Sequence, residues 1–177
     1  VTHLQKIICT LLATLLITGC TGLPEGVHPV GSFELARYLG KWYEIARLDH
    51  SFERGLVQIT AEYSMREDGG VRVVNRGFNP ATNSWKEAEG RAYFVASPDI
   101  GQLKVSFFGP FYGGYNIIAL DQENYTYAMV AGPDHSYLWI LARESELDAD
   151  QQQALIAQAA ASGFPVDKLI FVDHASQ

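Results

Sequence analysis

Val57-Gln58-Ile59-Thr60-Ala61-Glu62-Tyr63-Ser64-Met65 alternates without a break. Val57, Ile59, Ala61, Tyr63 and Met65 fall on one face, and Gln58, Thr60, Glu62 and Ser64 on the other. A period of two marks a strand with one dry face and one wet face. Glu67-Asp68-Gly69-Gly70 follows as a hairpin signal, and residues 71–78 read as the returning strand. Upstream, residues 42–48 read as the preceding strand. Downstream, strand patterns recur at 85–95, 103–108, 115–120, 125–131 and 137–143, separated by short segments rich in Gly, Pro, Asn and Asp. The fourth of these eight carries Ala88, Gly90 and Ala92 on one face, and Glu87, Glu89 and Arg91 on the other. Eight sequential strands joined by short turns predict an antiparallel up-and-down barrel. A two-sheet sandwich is the alternative. Charge along one face of strands two to four argues against a membrane-spanning barrel, whose outward band is apolar.

Residues 147–163 carry the only long helical pattern. Asp148 is positioned to cap it, with Gln151 three residues on, and Gly163-Phe164-Pro165 stops it. Leu155, Ile156 and Ala159 form a narrow apolar stripe. Strands seven and eight are apolar on both faces, which predicts that this single C-terminal helix packs outside the barrel over them. Residues 169–172 read as a short last strand.

The chain has 177 residues, of which 47% are hydrophobic and 19% charged. That composition suits one globular domain and excludes a disordered or collagen-like chain. Thirteen Lys and Arg stand against 20 Asp and Glu, a net charge of −7. An acidic chain without a basic tract argues against nucleic-acid binding. Two cysteines supply neither a disulfide framework nor a cysteine-type zinc site.

The first nineteen residues read as an address rather than as part of the fold. Lys6 precedes an apolar run over 7–17, too short to span a bilayer as a helix and suited to a signal-peptide core. The run ends in Ile17-Thr18-Gly19-Cys20, which resembles the bacterial lipobox. The resemblance implies a lipid attached to Cys20, cleavage before it, and, with Thr21 rather than Asp next, delivery to the outer membrane. An ordinary secretory signal with a bystander cysteine is the alternative. Residues 20–31, with two Pro and three Gly, read as a lipidated tether, and residues 32–177 as the barrel domain.

Gly40-Lys41-Trp42 opens the first strand after a short helical lead over 33–39, and Arg143 ends the eighth strand. With the middle stretch Tyr115-Asn116-Ile117-Ile118-Ala119-Leu120-Asp121, this order resembles the lipocalin family over about residues 31–173. The stretch KVSFFGPFYGGYN (104–116) and the lipobox resemble its bacterial, outer-membrane lipoprotein branch. That resemblance implies carriage or storage of fatty acids or lysophospholipids at the envelope, with the anchored domain facing the periplasm. It implies no catalytic residue, no metal and no cofactor.

Strand parity supports the same picture. Trp42 starts strand one and Arg143 ends strand eight, so both fall at one end of a meander, where a guanidinium stacked on an indole would plug the barrel. The turns at that end (67–70, 97–101, 121–124) are short and acidic. Those at the other end (49–56, 79–84, 109–114, 132–136) are mostly longer and carry Phe52, Phe111 and Tyr112. One end reads as closed, and the other as an aromatic-rimmed mouth. Ala88, Gly90, Ala92 and Phe94 from strand four, with Leu103, Val105 and Phe107 from strand five, are the expected lipid-binding lining, the small residues leaving room for a ligand. Tyr112 and Arg54, with Arg47 and His50, are the expected head-group contacts.

Other functions fit less well. The histidines scatter over tether, loops and tail, and no hydrolase, phosphate-binding or dinucleotide motif occurs. Glu44 shares parity with Trp42 and reads as part of a buried hydrogen-bond network rather than as an acid–base catalyst. A scaffold with a filled barrel, a haem carrier and a lipid-modifying enzyme stay as alternatives. A homodimer would cover exposed aromatics at the mouth.

Overall fold

A computed structural model describes residues 21–175. The address over 1–19 and Cys20 lie outside the described residues. The strands are β1 (Gly40–Arg47), β2 (Val57–Met65), β3 (Val71–Asn79), β4 (Ser84–Phe94), β5 (Gln102–Phe108), β6 (Phe111–Leu120), β7 (Tyr127–Ala131) and β8 (Leu138–Ala142). Each pairs antiparallel with its sequence neighbour, and β1 pairs with both β2 and β8, closing the barrel. One turn of helix, α1 (Leu35–Tyr38), leads into β1, and α2 (Ala149–Ala161) follows β8. A two-residue strand, β9 (Ile170–Phe171), joins β1 at Ala46 and Arg47. β1 meets β2 only through residues 40–43, so its upper edge is free to take β9.

The chain splits its apolar residues between two faces of one sheet. Inside lie Trp42, Tyr63, Val71, Val73, Ala92, Leu103, Ile117, Val130 and Leu141. Outside, Ala46, Met129, Leu138, Ile140 and Ala142 form a second cluster under Leu155 and Ala159 of α2. The Asp148 carboxylate accepts from the amides of Asp150 and Gln151, satisfying helix donors that have no partner in the first turn. At the other end the Phe164 amide reaches back to the Ala159 carbonyl, with Gly163 at φ +86°. The helix and its position over strands seven and eight are thus as expected.

Two segments differ from expectation. Strand β6 starts at Phe111, inside the glycine-rich stretch read as a turn. Gly113 and Gly114 pair with Val105 and Lys104. A Cβ on Gly114 would meet the Gly22 carbonyl oxygen at 2.7 Å, so the glycine marks a strand position where another backbone crosses closely. The crossing backbone is the segment read as a tether. Residues 22–33 lie along the barrel instead of extending from it. Val30 exchanges backbone hydrogen bonds with Gly101 and Ile117, Phe33 donates to Asp99, and the Asn116 amide donates to the Gly22 carbonyl at 3.1 Å. Val27 packs into the outer apolar cluster, and Phe33 into the inner one.

Candidate functional site

The closed end is built around Trp42, which is fully buried. Its indole Nε1 donates to the Tyr38 carbonyl at 2.8 Å. The Arg143 guanidinium lies 3.9 Å from the indole centroid. Its three nitrogens donate to the carbonyls of Arg37, Tyr38, Leu39, Lys41 and Tyr125 at 2.7–3.3 Å. Gly40 sits beside it at φ +94°, where a side chain would be strained and would approach Arg143. The Gly40, Trp42 and Arg143 grouping is therefore a plug: the arginine ties α1, β1 and the β6–β7 turn together.

Above the plug, three tyrosine hydroxyls meet. Tyr115 lies in the middle, 2.7 Å from Tyr38 and 2.7 Å from Tyr63. Burial pushes all three phenols above the ordinary tyrosine range. Tyr63 and Tyr115 have the inward parity that alternation assigns, but their meeting is a cross-barrel contact and has no linear spacing to reveal it.

Nearer the mouth, Glu44 shares the inward parity of Trp42, and a register shift in β1 between Glu44 and Ala46 brings Arg47 to the same side. The Arg47 guanidinium lies 3.0 Å from Glu44 and 3.9 Å from Glu53, and donates to the Glu53 carbonyl. Glu53 also lies 2.9 Å from His50 Nε2 and accepts from the Trp139 indole at 3.2 Å. Burial, with Glu53 close by, holds the Glu44 carboxyl well above the usual carboxylate range despite Arg47. Burial also pushes Glu53 up, but the adjacent His50, the Trp139 indole and Arg47 outweigh it and leave Glu53 lowered. Glu44 thus belongs to a buried hydrogen-bond network, as its parity suggests. Arg47 and His50 belong to the same network rather than to a surface head-group site.

The lining shows how parity reads and where it fails. Ala92, Phe94, Val105 and Phe107 join the inner apolar cluster. Gly90 is buried, whereas Ala88 lies higher on β4 and is exposed. The room expected beside these small residues is occupied, because a Cβ on Gly90 would meet the Phe107 ring at 2.8 Å. The hollow at the tyrosines, lined by Phe33, Tyr63, Val71, Ala92, Leu103 and Tyr115 among others, holds only about 10 Å³. That is about the space of one water. Two expected head-group contacts lie elsewhere. Tyr112 has the opposite parity to Tyr115, and its hydroxyl accepts from Arg91 on the outer wall while Lys104 lies over its ring. Arg54 is exposed and held by the Asp49 carboxylate through Nε and Nη2. Among the described residues no three His, Cys, Asp or Glu side chains converge on a metal-sized site.

A meander closed on itself, plugged at one end and lined inside with apolar side chains, defines a closed eight-stranded antiparallel β-barrel. A model of the lipocalin-like domain matches residues 33–174. The outer membrane lipoprotein Blc of Vibrio cholerae is 53% identical over 170 residues, covering 96% of this chain and 99% of the relative. The outer membrane lipoprotein Blc of Escherichia coli K12 is 50% identical over 174 residues, covering 97% and 98%. Insecticyanin of the tobacco hornworm Manduca sexta superposes with a TM-score of 0.68 at 22% identity over 88% of each chain, a likeness of fold. The chain belongs to the lipocalin family. That membership accords with a binding protein rather than an enzyme.

Proposed function

We propose that the protein is an envelope carrier that takes one long-chain lipid, a fatty acid or lysophospholipid, into the barrel. The observation that carries this reading is the interior: Ala92, Phe94, Leu103, Val105 and Phe107 form an apolar inner lining, with the buried Glu44, Arg47 and Glu53 network nearer the mouth. Burying a methylene gains about 0.8 kcal/mol, so an acyl chain has the driving force to enter. The hollow at the tyrosines holds only about 10 Å³, so entry of a chain to that depth requires side chains to move. Cys20, following the lipobox-like Ile17-Thr18-Gly19, carries the membrane anchor in this reading, and the 50–53% identical relatives are outer membrane lipoproteins by name. The barrel then hangs on the periplasmic side of the outer membrane.

The small hollow favours one second reading, a scaffold lipoprotein whose barrel stays filled. One assay separates the two. Delipidated protein is titrated with a fluorescent fatty acid, and lysophospholipid is added as competitor. Saturable uptake, reversed by the competitor, supports carriage. No uptake of any acyl-chain probe by folded protein sinks it.

A further inference from the structure

The N-terminal segment comes off the barrel at the mouth end. Gly22 packs against the β7–β8 turn: the Asn116 side-chain amide donates to both the Gly22 and the Gly132 carbonyls, at 3.1 Å each. Gly22 also lies beside Pro133 and crosses β6 at Gly114. The described chain therefore begins at the mouth end, beside the β7–β8 turn. Phe111 is three residues beyond Gly114 on the same strand, about 10 Å further toward the rim.

At the tip of the β5–β6 hairpin Phe111 pairs with Phe108, and the two rings are 79% and 81% exposed. Phe52 and Trp85, on neighbouring mouth-end segments, are also more than half exposed. The opposite end of the barrel carries Glu67, Asp68, Asp99, Asp121 and Glu123 in its turns, a surface that an anionic lipid headgroup layer repels. We infer that the aromatic rim, with Phe108 and Phe111 at its tip, docks into the phospholipid leaflet that holds the Cys20 anchor, so that the barrel opens directly onto the membrane. Aromatic rings exposed at one pole, next to a lipid anchor, suit the apolar–polar boundary of a bilayer. The tether reading left the barrel free to turn. Docking of residues 22–33 removes that freedom and orients the mouth. The inference rests on the Cys20 anchor proposed above and does not depend on which lipid the barrel carries.

The test uses the full chain, processed and purified from membranes, in phosphatidylethanolamine–phosphatidylglycerol vesicles. Phe111→Cys and Glu67→Cys variants are labelled with an environment-sensitive fluorophore. Both positions are exposed, so neither change touches the core. The expected result is a blue shift at position 111 and loss of most of its emission to spin-labelled phospholipids, with position 67 unchanged. Equal quenching at both positions, or none at 111 in a palmitate-labelled protein, overturns the docking and leaves the lipid-carrier reading standing. Absence of palmitate incorporation that Cys20→Ser abolishes removes the anchor, and the docking falls with it. Protection of position 111 without vesicles, in a species that sediments as a dimer, assigns the rim to a second copy and overturns the proposal. Phe108→Ser with Phe111→Ser is expected to abolish the shift reported from a label at Phe52→Cys while palmitate incorporation continues.

Discussion

Arg143 lies face-on to Trp42 at 3.9 Å while donating to main-chain carbonyls of α1, β1 and the β6–β7 turn. Burial lowers the guanidinium from its ordinary range, and the carbonyls that surround it take the place of water. The pair is a structural lock far from the mouth. Trp42→Ala is expected to cost about 3–5 kcal/mol, and Arg143→Ala about 2–4 kcal/mol through orphaned carbonyls. Urea denaturation reads both. Ligand affinity of the fraction that stays folded should not change, and normal melting with lost binding would contradict the assignment.

The two carboxylates beside Arg47 should behave differently. Glu53 is lowered, so it adds stability above about pH 4.3 that is lost as pH falls through that range. Glu44 is raised, so its contribution runs the other way: it is harmless in acid and weakens the fold as pH rises from about 4.3 toward its folded value. Glu53→Gln is expected to cost about 3–5 kcal/mol at neutral pH by leaving Arg47 and His50 without their shared partner. Glu44→Gln should cost less than about 1.5 kcal/mol and steady the protein as pH rises. Denaturant midpoints measured at acid and neutral pH check the contrast, and equal losses for the two variants would refute it.

The three linked phenols give a second pH signature. Each is raised, so their contribution is complete below the ordinary tyrosine range and is lost as pH climbs past about 10. Absorbance titration should show Tyr38, Tyr63 and Tyr115 silent until the barrel unfolds. Tyr115→Phe removes the central hydroxyl and leaves two without their partner, at a cost of about 1–3 kcal/mol. A phenolate signal from all nine tyrosines in folded protein would exclude the arrangement.

Phe107 occupies the space that Gly90 leaves. Phe107→Ala is expected to open space beside Gly90 and strengthen fatty-acid binding, while costing less than the roughly 3–5 kcal/mol of a fully buried phenylalanine because the ring is only partly covered. Fluorescent fatty-acid titration beside thermal melting reads both effects. Weaker binding in a protein that melts normally would show that the ring belongs to the ligand's own contact surface.

Alternation over Ile59–Tyr63, the turn signals and the Asp148 cap are local properties, although the expected pattern fails at both ends of that strand, where a register shift follows Val57 and Met65 is exposed. Each is settled within a few residues by side-chain period or backbone donors, so strand number, the helix and the inward face of β4 and β5 from Gly90 onward were legible in the chain, while Ala88 is exposed. The Trp42–Arg143 plug followed from parity, since a meander fixes which strand ends share a pole. Packing between distant segments decided the rest. Phe107 closes the room beside Gly90, a bulge turns Arg47 into the barrel, Asp49 takes Arg54, and Gly114 admits the backbone of Gly22. Those outcomes depend on which atoms fill a shared volume across the barrel. No linear pattern encodes them, because the residues that meet are brought together only when the sheet closes.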